Sequence, residues 1–386
     1  MKTGNGIKLR KIRFCNLADI ATCLLVIKTY LMYTRVVAFN GLVDSIMTVG
    51  AIFLFLINIL EKKYSFRRLF LYLLLTLLVL LSGSKVGNYG FSISVITVMA
   101  LDAKRLNNTI KNVYQLEIVL FFLTVSLSIL QYLMLGTPIY LIDMGRGRYY
   151  LGFTHPNVLS AFLFNIMLLW VWVNYDRITM KNVIVLGCVE MLGYYLTRTR
   201  TILIAYVVLA IMLMIKINDE KNKFTFRRIS ALVTPIIAAF TYLLCYGYLR
   251  GNLISIFMNL LLTTRVKLGA YALSNFGITF LGTNLSGFVM RWTSEWGLND
   301  FTFDNIYTYL MFNQGIVWLA LLCIAFFVLA FKENRKINTF IILWAIYGMT
   351  EVHGINCYLF CPLFILAFLF DNQDTMKFGM ALKNKD

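Results

Sequence analysis

Long apolar runs almost free of charge recur along the whole 386-residue chain. A bilayer leaves such runs few options. No water is present there to satisfy backbone N–H and C=O groups, so a run of about 20 apolar residues crosses as a helix. The stretches that qualify are 17–34, 42–60, 68–84, 88–101, 113–135, 156–175, 182–197, 201–217, 229–249, 304–331, 337–351 and 355–370. They predict an all-α polytopic membrane protein of about twelve spans, the shortest at 88–101, 337–351 and 355–370. Composition agrees. Hydrophobic residues make up 60% and charged residues 14%, against roughly half and a quarter in soluble domains.

Charge gives an independent test of the threading, because Lys and Arg collect in cytoplasmic loops. With the N-terminus inside, 25 of the 36 basic residues fall in the N-terminal tail, 61–68, 102–112, 176–181, 216–228, 332–336 and the C-terminal tail. Every second connection is therefore basic, and both termini are expected to be cytoplasmic. The same bias accounts for the net charge of +18, which in a soluble chain would suggest nucleic acid. No nucleic-acid partner is expected. The eleven exceptions are Lys28, Arg35, Lys85, Arg146, Arg148, Arg198, Arg200, Arg250, Arg265, Lys267 and Arg291. They point to an anion-binding site on the outer face.

The chain reads as one transmembrane domain, 1–386, with no cleavable signal peptide evident. Its outer connections are unequal. Residues 136–155 form one of about twenty, and 250–303, between spans nine and ten, form a large extracellular loop. That loop has helical spacing from Asn252 to Asn275, turn signals at Gly277, Gly282 and Gly287, and an aromatic cluster of Phe288, Trp292 and Trp296. The aromatic residues suit either interface anchoring or a platform over a cavity. The seven cysteines lack metal-ligand spacing, the outer acidic residues are dispersed, and soluble-enzyme motifs are absent, so neither metal nor cofactor is expected.

Four outer constellations carry candidate chemistry. Arg146-Gly-Arg148 leads into His155-Pro156-Asn157, where Pro156 suits a first helical turn and free N–H groups can hold an anion. Thr197-Arg198-Thr-Arg200-Thr201 is a tight turn whose two Arg can converge on one group, forking to phosphate oxygens. Lipid headgroups are the competing partner. Arg265, with Lys267 beside it, lies near an apolar stripe and needs a counter-charge. Glu351 and His353 lie together in a short connection, and either can accept a proton. Asp304-Asn305, opening the tenth span, adds a further carboxylate, and Glu190, inside the seventh, is a candidate to pair with an Arg from a neighbouring helix that the sequence does not identify.

These pieces together resemble the O-antigen polymerase and ligase-like membrane proteins, above all the capsular polysaccharide polymerases of Gram-positive bacteria. The resemblance rests on Leu151-Gly-Phe-Thr-His-Pro-Asn157, the Thr-Arg-Thr-Arg-Thr turn, Thr264-Arg265, Phe280-Leu-Gly282, Asp304-Asn305 with Gly315, and the Glu351 segment, across roughly 145–370. It implies a fold like the C superfamily of membrane glycosyltransferases and a site facing outward from the bacterial plasma membrane. It implies a substrate built on undecaprenyl pyrophosphate, whose growing glycan passes to the non-reducing end of a new lipid-linked unit. A chain-length regulator or a flippase are the protein partners it allows. By position it assigns the family's outer Arg pair and His to Arg198 or Arg200, Arg265 and His353, with His155 and Glu351 competing for the His role. Arg146, Arg148 and Lys267 join them as pyrophosphate ligands. His155, Asn157, Asp304 and Asn305 serve substrate or structure. Gram-negative relatives of this kind carry an Arg-x10-Gly loop; here the eleventh residue after Arg148 is Leu159 and after Arg265 is Phe276, so a mechanism built on that motif is not implied. The chemistry suits the residues: a pyrophosphate leaving group gathers charge that guanidinium groups can stabilise without a metal, and inversion follows from in-line attack. A ligase of the same family, or a flippase for the lipid-linked unit, remains an alternative.

Overall fold

The structure is a computed structural model that describes residues 16–61, 65–143, 146–218, 223–285, 303–332 and 334–370. Its helices, in chain order, are α1 (Leu17–Tyr33), α2 (Gly41–Leu60), α3 (Phe66–Val86), α4 (Gly90–Ala100) and α5 (Leu106–Leu135). Next come α6 (Pro156–Asn174), α7 (Met180–Thr197), α8 (Arg200–Asn218), α9 (Lys223–Leu249), α10 (Leu253–Leu261) and α11 (Arg265–Asn275). The last three are α12 (Ile306–Thr308), α13 (Ile316–Ala330) and α14 (Arg335–Tyr347). Tyr309–Gly315 is a π-helical stretch joining α12 to α13, and Cys361–Phe370 closes the described chain as a 3-10 helix.

Each stretch read as a span falls on a helical segment. Seven of these segments are long and apolar enough to cross a bilayer: Gly41–Leu60, Arg68–Val86, Leu106–Leu135, Pro156–Arg177, Arg200–Asn218, Phe226–Leu249 and Ile306–Ala330. The protein is therefore an all-α chain built to pass a membrane several times. The remaining segments are shorter or carry ionisable groups. With 11 residues, α4 measures about 16 Å, roughly half the apolar thickness of a bilayer. It packs against the 3-10 helix Cys361–Phe370. Beside this pair lies an apolar groove of about 310 Å³ lined by Leu75, Phe91, Val98, Trp318 and Phe370 among others.

The centre of the bundle is α6, buried along 72% of its apolar stretch, against 11% for α5 and 17% for α2. Trp172 of α6 packs edge-on against Phe340, and Phe164 stacks near Tyr347 and Phe360. A polar pin crosses this core. Asn165 donates to both carboxylate oxygens of Glu117 at 2.9 and 3.1 Å, and accepts from the Cys361 N–H at 2.7 Å. Such interhelical hydrogen bonds hold α5, α6 and the 3-10 helix in register where apolar contact alone gives little orientation. Glu190 of α7 differs from its sequence expectation. Among the described residues it has no ion pair with an Arg, and its Oε1 is buried without a hydrogen bond.

Two connections have structure of their own. Residues Tyr140–Asp143 (β1) and Arg146–Tyr149 (β2) form an antiparallel hairpin with Leu141 opposite Arg148. In the large loop, the helical spacing from Asn252 to Asn275 is realised as α10 and α11. Leu262–Thr264 breaks it, and Thr263 and Thr264 there are left-handed at φ 48° and 68°. Asn259 spans the break: its carbonyl accepts from Thr264 N at 3.0 Å and its Oδ1 from Lys267 N at 2.8 Å. The cluster of Phe288, Trp292 and Trp296, with Gly287 and Arg291, lies outside the described residues.

After α11 the chain crosses the π-helical stretch, backbone against backbone. Thr283 N donates to Asn313 O and Ile316 N to Thr279 O, both at 3.0 Å. The approach depends on two glycines. A Cβ on Gly282 (φ 90°) would lie 2.1 Å from Asn313 O, and one on Gly315 (φ 105°) would lie 2.4 Å from Phe280 O. We expect Gly282→Ala and Gly315→Ala each to lower stability by about 1–3 kcal/mol from backbone strain alone. Thermal unfolding in detergent checks this, with Gly41→Ala, which meets nothing within 4 Å, as the neutral control.

Candidate functional site

The first of the converging segments is the hairpin. From β2, Arg148 reaches the α7–α8 turn, donating through Nε to Thr197 O at 2.8 Å and through Nη2 to Asn157 Oδ1 at 2.5 Å. Thr199 Oγ1 also donates to Asn157 Oδ1, at 3.1 Å. Arg148 and Asn157 thus tie the hairpin, the start of α6 and the turn together. The turn itself is tight because Arg198 takes a left-handed conformation, φ 56°. It is exposed and lies over the Tyr195 ring, 4.8 Å from the centroid. Arg200 starts α8, is exposed, and has no partner among the described residues.

Opposite the turn stands the α10–α11 break, which delivers Arg265 inward. Its Nη1 donates to Thr263 Oγ1 at 2.5 Å and to Leu262 O at 3.3 Å. Its Nη2 lies 3.5 Å from Asp304 Oδ2 and 3.8 Å from Glu351 Oε1. The counter-charge that the sequence required for Arg265 is thus a pair of carboxylates from either end of the α12–α14 segment. The second distance is an ion pair too long for a hydrogen bond, so Glu351 Oε1 and Arg265 Nε have no hydrogen-bond partner.

Arg148, Arg198, Arg200, Arg265 and Glu351 wall one cavity of about 410 Å³, with Asn157, Thr199, Thr201, Thr263 and Thr350. Four non-glycine residues have positive φ among those described, and two of them, Arg198 and Thr263, are on this wall. Such strain persists only where surrounding structure fixes it, and it clusters at functional sites. Burial pushes the Glu351 carboxyl up to about 7; Asp304 adds to the rise, while Arg265 and a hydrogen bond from Thr201 oppose it. Burial also raises Asp304, against the pull of Arg265 and His155.

The other predicted residues lie elsewhere or act structurally. His155 is the N-cap of α6, its Nδ1 accepting from Asn157 N at 3.1 Å, with Pro156 in the first turn. Asn305 caps α12 through Oδ1 and donates to Met349 O at 2.9 Å. Lys267 is not on the cavity wall. The side chain of Arg146 lies outside the described residues. His353 lines a second cavity, on the other side of the Glu351–His353 segment. Burial and the neighbouring His155 lower its pKa to about 4. The threonines were missed as wall residues; their alternation with Arg at 197–201 was the available signal.

Arg265 and Glu351 are buried, with side chains 12% and 7% exposed, so each is costly without the other. A double-mutant cycle of Arg265→Ala and Glu351→Gln is expected to show a coupling of roughly 0.5–3 kcal/mol by thermal unfolding. The chain matches none of the protein-family models, curated proteins or solved structures with which it was compared, so the cavity's role rests on its chemistry.

Proposed function

We propose that the chain is a metal-independent membrane glycosyltransferase that polymerises lipid-pyrophosphate-linked oligosaccharide units at the outer face of a bacterial plasma membrane. The observation that carries it is the juxtaposition of the Arg198, Arg200 and Arg265 guanidinium groups with the Glu351 carboxyl around one cavity. Three cations beside one raised carboxyl suit a reaction with an anionic leaving group and a proton to remove. In this reading Arg198 and Arg200, at the rim, hold the pyrophosphate, and Arg265 stabilises the charge that gathers as it leaves. The acceptor hydroxyl oxygen attacks the anomeric carbon in line. The bond from that carbon to the pyrophosphate oxygen breaks, its electrons leave with the pyrophosphate, and the hydroxyl proton passes to Glu351. The product is inverted at the anomeric centre. Glu351 takes the base role over His353 because it shares the cavity with the arginines.

The reading includes about twelve spans with both termini cytoplasmic, in an arrangement like the C superfamily. Gathering of the cations at one end of the bundle, instead of along a path through it, favours transfer chemistry over lipid flipping. A ligase would use the same cavity and differs in its acceptor.

Purified protein supplied only with lipid-linked repeat units should build a glycan ladder. Arg265→Ala should slow it about 10²–10³-fold, as loss of a transition-state donor does elsewhere. Unchanged lengthening in that variant would overturn the site. A base must be ionised, so the rate should rise with pH through about 7, the value to which Glu351 is pushed. Glu351→Gln should lose both that limb and most of the activity. For orientation, Tyr140→Cys should react with a membrane-impermeant maleimide on intact cells, and Lys181→Cys only after permeabilisation.

A further inference from the structure

A second outer cavity, of about 610 Å³, has no part in the reaction above. It lies between α1, α2, the start of α4 and the segment Val352–Leu359. The Glu351–His353 segment separates it from the arginine-lined cavity: Glu351 is on one wall and His353 on the other. Its volume falls in the range of about 300–1,000 Å³ typical of small-molecule sites.

Its charge is different in kind. Among the described residues, the only Lys, Arg, Asp or Glu on its wall are Lys28 and Asp44, and they pair with each other, Nζ–Oδ1 at 2.9 Å. Lys28 Nζ also donates to Thr48 Oγ1 at 2.7 Å, so this cation is already committed. What remains is neutral and polar. The Tyr33 and Tyr89 hydroxyls, the Asn88 and Asn356 amide nitrogens and the His353 imidazole have no hydrogen-bond partner among the described residues. None of these groups is sealed away from the cavity, so each can meet a ligand. A wall that keeps several neutral donors and acceptors open, interleaved with tyrosine rings, suits a ligand with many hydroxyls and apolar ring faces.

We propose that this cavity binds uncharged sugar residues of the glycan, so that the two outer cavities divide the substrate by charge. The arginine-lined cavity takes the pyrophosphate end, and the neutral one takes sugars. Naming the sugar as part of the reacting glycan rests on the function proposed above; the preference for an uncharged, polyhydroxylated ligand does not.

The test uses the full chain in nanodiscs and saturation-transfer difference NMR against an array of short, uncharged, lipid-free oligosaccharides, with sugar phosphates as the charged comparison. At least one uncharged oligosaccharide is expected to bind. Tyr33→Phe together with His353→Phe should weaken it about tenfold, as loss of two hydrogen bonds implies. Tyr89→Phe, at a position 49% exposed, repeats the test where packing is not at stake. Arg200→Ala should retain the binding while losing chain lengthening. Absence of binding by every uncharged sugar, binding indifferent to all three tyrosine and histidine substitutions, or binding that needs Arg200 would overturn the assignment. Sugar binding that persists in wild-type protein unable to lengthen chains would count against the proposed reaction and for this cavity.

Discussion

Arg265 is a cation that cannot be buried alone, and the cavity it lines is organised around that fact. Water would otherwise hold a guanidinium at far lower cost. Here Asp304 and Glu351 supply the missing counter-charge from opposite ends of the segment between the large loop and the closing 3-10 helix. To bring them together, the chain breaks at Leu262–Thr264 in two left-handed threonines, and Asn259 stitches the break. Burial raises the Glu351 carboxyl to about 7, and the Arg265 guanidinium, shared with Asp304, offsets only part of that rise. Glu351 is thus neither an ordinary surface acid nor a silent buried one.

Much of this was legible in the chain. Apolar runs located the long helices, because a bilayer tolerates little else, and helical spacing located α10 and α11. Pro156 marked the first turn of α6, and the apolar neighbours of Arg265 announced its need for a partner. The partner's identity was not legible, since Asp304 and Glu351 are 39 and 86 residues away from Arg265. Nor was the separation of Glu351 from His353. Two residues apart they look like one site, yet Glu351 is extended (φ −143°, ψ 132°) while His353 lies in the 3-10 turn Val352–Ile355 that follows, so the chain turns between them and each faces its own cavity. The hairpin at 140–149 was also invisible: its strands are four residues each and carry no alternation strong enough to stand out.

Not every cation around this cavity is available to a ligand. Arg148 looked equivalent to Arg198 and Arg200 as a charge out of place. The structure engages it with Thr197, Thr199 and Asn157, where it fixes the turn that presents the other two. Charge asymmetry locates a region, while hydrogen-bond accounting separates the residues that build it from those left open.

The shortness of α4 has a consequence for what holds it in place. Its 11 residues and the ten of the adjoining 3-10 helix reach only part of the way across an ordinary bilayer. Neither meets lipid directly: no residue of 91–100 or 361–370 is exposed. Helices too short to span are tolerated here because longer neighbours enclose them and satisfy what lipid cannot. The position of α4, whose first turn also borders the neutral cavity, is therefore set by the surrounding helices and not by the bilayer.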